Sequence, residues 1–176
     1  MQNLQKNEGF SFVEFVLIFS IIGILLSMAV LTLQNRQQQI KEEQLKRDLT
    51  DVRKALHGYF LDHDLFPCSG EDFNRAGNVE TFKKQLLWYT NKKGKPSTTR
   101  SRDFRFGPYL SVFPKEAVTG FETVVIDTIS VGDLNQLKKM ISESPAATGG
   151  WYYQAENGFF IVNLNKNRFK EYYAYF

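Results

Sequence analysis

From Phe10 to Leu33 the chain is apolar at nearly every position; from Gln34 onward polar and apolar residues begin to alternate with a helical period. The first run is about 24 residues long. As an α-helix rising about 1.5 Å per residue it extends roughly 36 Å, enough to cross a hydrocarbon core about 30 Å thick with some tilt. Glu14 is its only ionisable side chain, and Ser11, Ser20, Gly23, Ser27 and Thr32 are its other breaks. No proline occurs before Pro67 and no glycine between Gly23 and Gly58, so nothing stops the helix at the end of the apolar run. Leu45, Leu49, Val52, Leu56 and Tyr59 then recur at spacings of four and three, which puts them on one face. Lys46, Asp48, Asp51, Arg53 and Lys54 occupy the other, polar face. One helix is therefore predicted from the apolar run to about Leu61, ending near His57–Asp64, with its stripe packed into a core.

Beyond Phe66-Pro67 the pattern breaks into shorter pieces. Ser69 to Gly77 reads as a loop. Asn78 can cap a short helix over about Val79 to Tyr89, burying Val79, Phe82, Leu86 and Tyr89. Lys92 to Arg105 is polar and basic. Phe121 to Ile129, rich in Val, Ile and Thr, reads as a strand, and Val131 to Ser142 as a helix with Leu134, Leu137 and Ile141 inward. Gly149-Gly150-Trp151-Tyr152-Tyr153 begins a hairpin, Asn157-Gly158 turns it, and Phe159 to Leu164 returns. Phe169 to Phe176 can add a last strand. The expected fold class is α+β: a long helix packed on a small antiparallel sheet of three or four strands.

Composition refines this picture in two places. Aromatic residues make up 15% of the chain, so the part beyond the apolar run can bury a substantial core. Cys68 is the sole cysteine, which excludes an intramolecular disulfide and leaves stability to packing; it reads as a small, semi-buried residue. The formal net charge of +3 is too mild to indicate a polyanionic partner by itself. Met1 to Gly9 is polar with Lys6 as its only basic side chain, and the apolar run is longer than that of a secretory signal. Arg36, Lys41, Lys46 and Arg47 just beyond the run outnumber Lys6, which by charge alone favours placing the C-terminal side in the cytoplasm.

Glu14 calls for a reason. It lies one helical turn inside the run, where it can snorkel to the interface. Alternatively, a cation in an assembly neutralises it: if the chain were cut after Gly9, the new amine of Phe10 would lie about one turn away. A neighbour shifted by one turn would then present its amine to this carboxylate. Gly9-Phe10-Ser11-x-x-Glu14 followed by an unbroken apolar run resembles the prepilin signal of type IV pilins and type II secretion pseudopilins. Gly-Pro-Tyr-Leu at 107–110, Gly-Gly-Trp-Tyr-Tyr at 149–153 and Gly158 to Asn163 resemble the tail of the pseudopilins, and Phe66-Pro67 resembles the pair that often follows the pilin helix.

The resemblance implies a pilin-like fold with residues 1–9 as a leader, 10–33 as a transmembrane and filament-core helix, and 34–176 as an exported head that includes a stem helix, 34–62. It implies cleavage between Gly9 and Phe10 by prepilin peptidase, N-methylation of Phe10, and assembly through Glu14. The implied partners are identical or related pilin subunits, an inner-membrane assembly platform and membrane lipid. The implied location is single-pass in the cell (inner) membrane with the head exported, against the charge rule above. Many relatives carry a proline where this chain has Leu31, so a stiffer helix is expected here. Pro114 to Gly120 lacks the carboxylates of a calcium loop, and no calcium is expected.

A structural subunit of a pilus-like or type II secretion filament is thus the leading expectation. One alternative is a DNA-uptake pilin that binds nucleic acid through Lys92, Lys93, Lys95, Arg100, Arg102 and Arg105, with Phe104 and Phe106 as stacking surfaces. The bland reading of the same segment is a solvated, mobile loop. Another alternative is a membrane-anchored domain that does not polymerise. No nucleophile elbow, phosphate loop or recognisable triad occurs, so no enzyme and no cofactor is expected. His57, Asp62, His63, Asp64 and Cys68 lack metal-ligand spacing and read as a solvated helix end, not a metal site.

Overall fold

A computed structural model describes residues 11–69, 78–127 and 132–169. Gly9 and Phe10, most of the loop after Ser69, and the C-terminal segment expected as a strand lie outside the described residues, except that Phe169 is described and is not in a strand. The chain divides into two units between Ile40 and Lys41. Helix α1, Phe12–His63, contributes to both and passes Leu31 unbroken, as expected of a segment without proline.

In the second unit the predicted stripe of α1 is the floor of the core. Leu45, Leu49, Val52, Leu56 and Tyr59 are buried, each burial stabilising by about 1.5–3 kcal/mol. Helix α2, Val79–Leu87, starts where Asn78 accepts a hydrogen bond from the Thr81 N–H at 3.1 Å, the expected cap. Its end is satisfied from the Gly-Pro-Tyr-Leu segment: the N–H groups of Tyr109 and Leu110 both donate to the Leu86 carbonyl at 2.9 Å. A two-stranded ladder follows, β1 (Tyr89–Thr90) with β2 (Pro96–Ser97).

The main sheet has the order β3-β4-β5, with β3 at Val124–Asp127, β4 at Thr148–Gln154 and β5 at Phe159–Leu164. The hairpin β4–β5 is antiparallel as expected, whereas β3 lies parallel to β4. Helix α3, Leu134–Glu143, lies between β3 and β4 in the chain, and a helical crossover is what joins parallel strands. Alternation along the hairpin sends Trp151, Tyr153, Phe160 and Val162 to the α1 side. Tyr152 and Ile161 face α3, against Leu137 and Ile141. Both faces are thus covered, which is why these strands read as nearly continuous apolar runs.

The sequence motifs are joints between these elements. Gly150 lies so close to β3's approach that a Cβ there would meet the Thr123 carbonyl oxygen at 2.5 Å. The next N–H, of Trp151, donates to that same oxygen at 2.9 Å. Gly158 has φ +66, and its missing Cβ leaves room for the Phe66 ring, which it would meet at 2.3 Å. The Tyr153 hydroxyl donates to the Pro67 carbonyl at 2.8 Å. The Phe-Pro pair after the stem is therefore docked on the hairpin.

Two positions assigned to solvent are buried instead. Asp48 is 8% exposed: Gln44 Nε2 donates to its Oδ1 at 2.8 Å, while its Oδ2 has no partner. Burial raises its pKa above the usual carboxylate value. His63 is 7% exposed, because β1 and the Gly-Pro-Tyr segment close over the last turn of α1. The helix end is not the solvated terminus that its polar residues implied.

Candidate functional site

The first candidate is the N-terminal part of α1. The exposed large apolar side chains of this part range from 40% at Ile18 to 81% at Phe12, a surface suited to lipid or to other helices and not to water. Its hydroxyls do not disturb that surface. Ser20, Ser27 and Thr32 donate to the carbonyls four residues earlier, Val16, Gly23 and Met28, at 2.8–2.9 Å. These three hydroxyl protons are thereby satisfied by the helix backbone.

Glu14 is placed by the first turn. The Ser11 N–H donates to its Oε2 at 2.8 Å, and the Phe15 N–H donates to the Ser11 carbonyl at 3.1 Å. Ser-x-x-Glu is half of a capping box, a signal present in the sequence at 11–14 and missed there. Within the single chain, the carboxylate thus serves one of the orphan N–H groups of its own helix.

The second candidate is the basic segment. Lys92 Nζ donates to the Asp62 carbonyl at 2.8 Å and pairs with Asp64 at 3.2 Å. His63 Nδ1 faces the Lys92 carbonyl at 3.3 Å, which can only accept, so Nδ1 carries the proton. Nε2 then accepts from the Thr90 hydroxyl at 2.9 Å. The Tyr109 hydroxyl, 3.2 Å from Nε2, donates to Asp62 Oδ2 at 2.8 Å. Burial lowers the His63 pKa from its ordinary value; the Lys92 carbonyl, Asp62 and Asp64 oppose this, and the Lys92 charge adds to it.

Lys93, Arg102 and Arg105 line one cleft with Lys92, Asp103 and Phe106, while Arg100 and Lys95 are exposed on the same segment. Among the sequence-predicted stacking rings, Phe106 is turned inward. It meets the His63 ring edge-on at 5.2 Å and carries the Arg105 guanidinium over its face at 4.9 Å. Phe104 is half-buried.

His57 is exposed, whereas Cys68 is buried beside Gln85, and burial pushes its thiol up to about 12. Among the described residues no three of His, Cys, Asp and Glu stand together as metal ligands. In the Pro114–Gly120 turn the buried Glu116 carboxylate accepts from the N–H groups of Val118 at 2.5 Å and Thr119 at 3.0 Å, and from the Thr119 hydroxyl.

The chain is similar to the type II secretion system core protein G of Vibrio cholerae serotype O1, 23% identical over 116 residues covering 66% of this chain and 68% of that protein. It is similar to the protein of the same name from Escherichia coli K12, 26% identical over 94 residues covering 53% and 64%. It is also similar to the competence protein ComGC of Halalkalibacterium halodurans, 28% identical over 72 residues covering 41% and 71%. The matched stretch is thus about two thirds of the length of these curated relatives. No protein-family model and no solved structure matches the chain. The relatives and the apolar helix of α1 together support a pilin or pseudopilin family for it.

Proposed function

We propose that this chain, a pilin or pseudopilin type of protein, is a structural filament subunit that is cut between Gly9 and Phe10 and assembles through the N-terminal part of α1. The observation that carries the reading is the exposed apolar surface of α1 interrupted by a single carboxylate, Glu14. In a bundle of such helices, an unpaired Glu14 would cost several kcal/mol, typically about 3–5. The amine of a neighbour's Phe10 removes that cost in one register only. Residues 10–33 are the membrane and filament-core segment, and 34–176 form the head.

The same helix anchors the subunit once in the inner membrane before assembly, with the head on the periplasmic or outer side and residues 1–9 in the cytoplasm. Prepilin peptidase and an assembly platform are the partners that this route requires. The type II secretion relatives favour a pseudopilus. The ComGC likeness, together with the basic cleft, supports a competence pilin as the second reading. No catalytic role is proposed, in keeping with relatives that are structural proteins.

The test is the intact mass and N-terminal residue of the protein from native membranes. A chain that starts at Phe10 and is heavier by one methyl group is the expected result. An uncut chain starting at Met1 would overturn processing, and with it the assembly register.

A further inference from the structure

The segment from Lys92 to Arg105 holds six basic residues and one acid, Asp103. It carries +5 of a chain whose total is +3, so the remainder is net negative. A positive field of this kind is local by construction. Lys93, Arg100 and Arg102 have no acidic partner among the described residues, whereas Lys92 is held by Asp64.

The segment is largely exposed, and its backbone is tied down at residues 90–95 and 106. Four ties fix its backbone. Gln85, fully buried on α2, donates from Nε2 to the Gly94 carbonyl at 3.0 Å. The Asn91 side-chain oxygen accepts from the N–H groups of Lys93 at 3.1 Å and Lys95 at 3.0 Å. The Thr90 and Phe106 backbones exchange hydrogen bonds at 2.9 and 3.2 Å. The Lys92 carbonyl faces His63. These ties fix the backbone that carries Lys92, Lys93 and Lys95 and the end of the segment beside Arg105. Preorganisation of this kind lowers the ordering cost of binding.

We propose that this cleft binds the phosphate backbone of a nucleic acid, with Lys93, Arg102 and Arg105 as the phosphate contacts and Arg100 and Lys95 extending the track. A nucleic acid presents one sign of charge at close, regular spacing, which matches a run of cations with one acid. Guanidinium groups also suit phosphate, because their planar fork can donate two parallel hydrogen bonds. The flank of a folded protein offers mixed signs and matches less well. The Arg105 guanidinium already lies over the Phe106 face, so the contact is assigned to the phosphate backbone, which carries no sequence information directly. This inference stands independently of the filament reading.

The experiment is fluorescence anisotropy of a labelled duplex of mixed sequence with the full chain in zwitterionic nanodiscs, titrated at several salt concentrations. Binding should weaken steeply with salt. Each lost phosphate contact should reduce the log–log slope by about 0.9. Lys93→Gln with Arg102→Gln should weaken binding at least about tenfold and reduce the slope by about 2, with an unchanged melting curve. Lys138→Gln with Lys139→Gln, on α3, should leave both unchanged. Asn91→Ala keeps every charge but frees two N–H groups; it should weaken binding and leave the slope alone. No binding at low salt, or equal loss from the α3 pair, would overturn the proposal. So would displacement of the duplex by polyglutamate or anionic vesicles at equal charge, which would reassign the cleft to an acidic protein or a lipid surface.

Discussion

The Arg53 guanidinium donates from Nε and Nη2 to the Phe160 carbonyl oxygen, at 3.0 and 2.9 Å. It joins α1 to β5, an outer strand of the main sheet. An outer strand has unpaired backbone groups on its free side, and here one of them is taken up by a side chain from the stem. Arg53 is exposed on the polar face of α1, as the pattern predicts; its polar tip is also a cross-tie, and desolvation lowers its pKa.

Arg53→Ala should therefore destabilise the protein by about 1.5–3 kcal/mol, the range for hydrogen bonds to charged groups. Arg53→Lys should recover only part of this, because an ammonium lacks the planar fork. Denaturant titration of the full chain in detergent, followed by tryptophan fluorescence, measures both. An effect below about 0.5 kcal/mol, typical of exposed polar substitutions, would show the tie to be dispensable.

Tyr59 is buried in the core stripe, and its hydroxyl has no hydrogen-bond partner. Burial pushes its pKa well above the ordinary value. Leaving a buried hydroxyl unsatisfied costs about 1–3 kcal/mol, so Tyr59→Phe should raise stability by about that much. Leu56→Ala, on the same stripe, should lower it by about 2–5 kcal/mol. Opposite signs at neighbouring stripe positions, read as shifts in the unfolding midpoint, distinguish a polar defect from a packing contact.

His63 gives the head a pH dependence of definite sign. Its folded pKa lies below the unfolded value of about 6.5. Below that pH the unfolded chain takes up a proton that the folded chain does not. The stabilisation is complete above about pH 6.5 and is lost as pH falls toward the folded pKa. The charged groups that act on the ring are Asp62, Asp64 and Lys92. Melting temperatures between pH 5 and 8 should fall on the acid side, and His63→Gln should flatten that slope. A slope unchanged by the substitution would place the titrating group elsewhere.

The capping bond of Glu14 and its proposed role in assembly are separated by a pair of substitutions. Glu14→Gln keeps an oxygen for the Ser11 N–H but removes the charge; Glu14→Leu removes both. Under the proposed charge pairing each variant should leave the head folded and abolish filament yield. If Glu14→Gln polymerises normally while Glu14→Leu does not, capping of the helix, worth about 0.5–2 kcal/mol, is the function that matters. Sheared-filament immunoblots with a melting curve of the membrane fraction report both quantities.

Asp48→Asn removes the charge of a carboxyl whose pKa burial raises. The unfolded chain loses this proton first as pH rises, so the ionised group opposes folding above its folded pKa. The variant should melt higher than the parent at pH 7, and the difference should close as pH falls toward the ordinary carboxylate range near 4. A difference that persists in acid would point to packing and not to charge.

Much of this protein follows from one-dimensional pattern. The apolar run, the stripe from Leu45 to Tyr59, the Asn78 cap and the Asn157-Gly158 turn are local signals, and each became the element that its spacing dictated. The signal at 11–14 is equally local: Ser-x-x-Glu is a helix start, realised as the bond from the Ser11 N–H to Glu14. The tertiary structure decided what depends on partners distant in sequence. That β3 lies parallel to β4, and that α3 covers the second face of the hairpin, followed from which surfaces were left to bury. Asp48, Arg53 and His63 look alike to any sequence pattern that reads polar residues as solvated. Asp48 and His63 are buried, and the bonds of Arg53 to Phe160 and of His63 to Thr90 reach segments distant in sequence, whereas Asp48 is bonded to Gln44 one turn away on the same helix. The basic segment shows the same division: its charge is written in its residues, but the bonds to the Gly94 and Lys92 carbonyls come from Gln85 and His63, residues of other elements. Periodicity reports which side of an element is apolar; only packing determines which polar side chains that side takes with it.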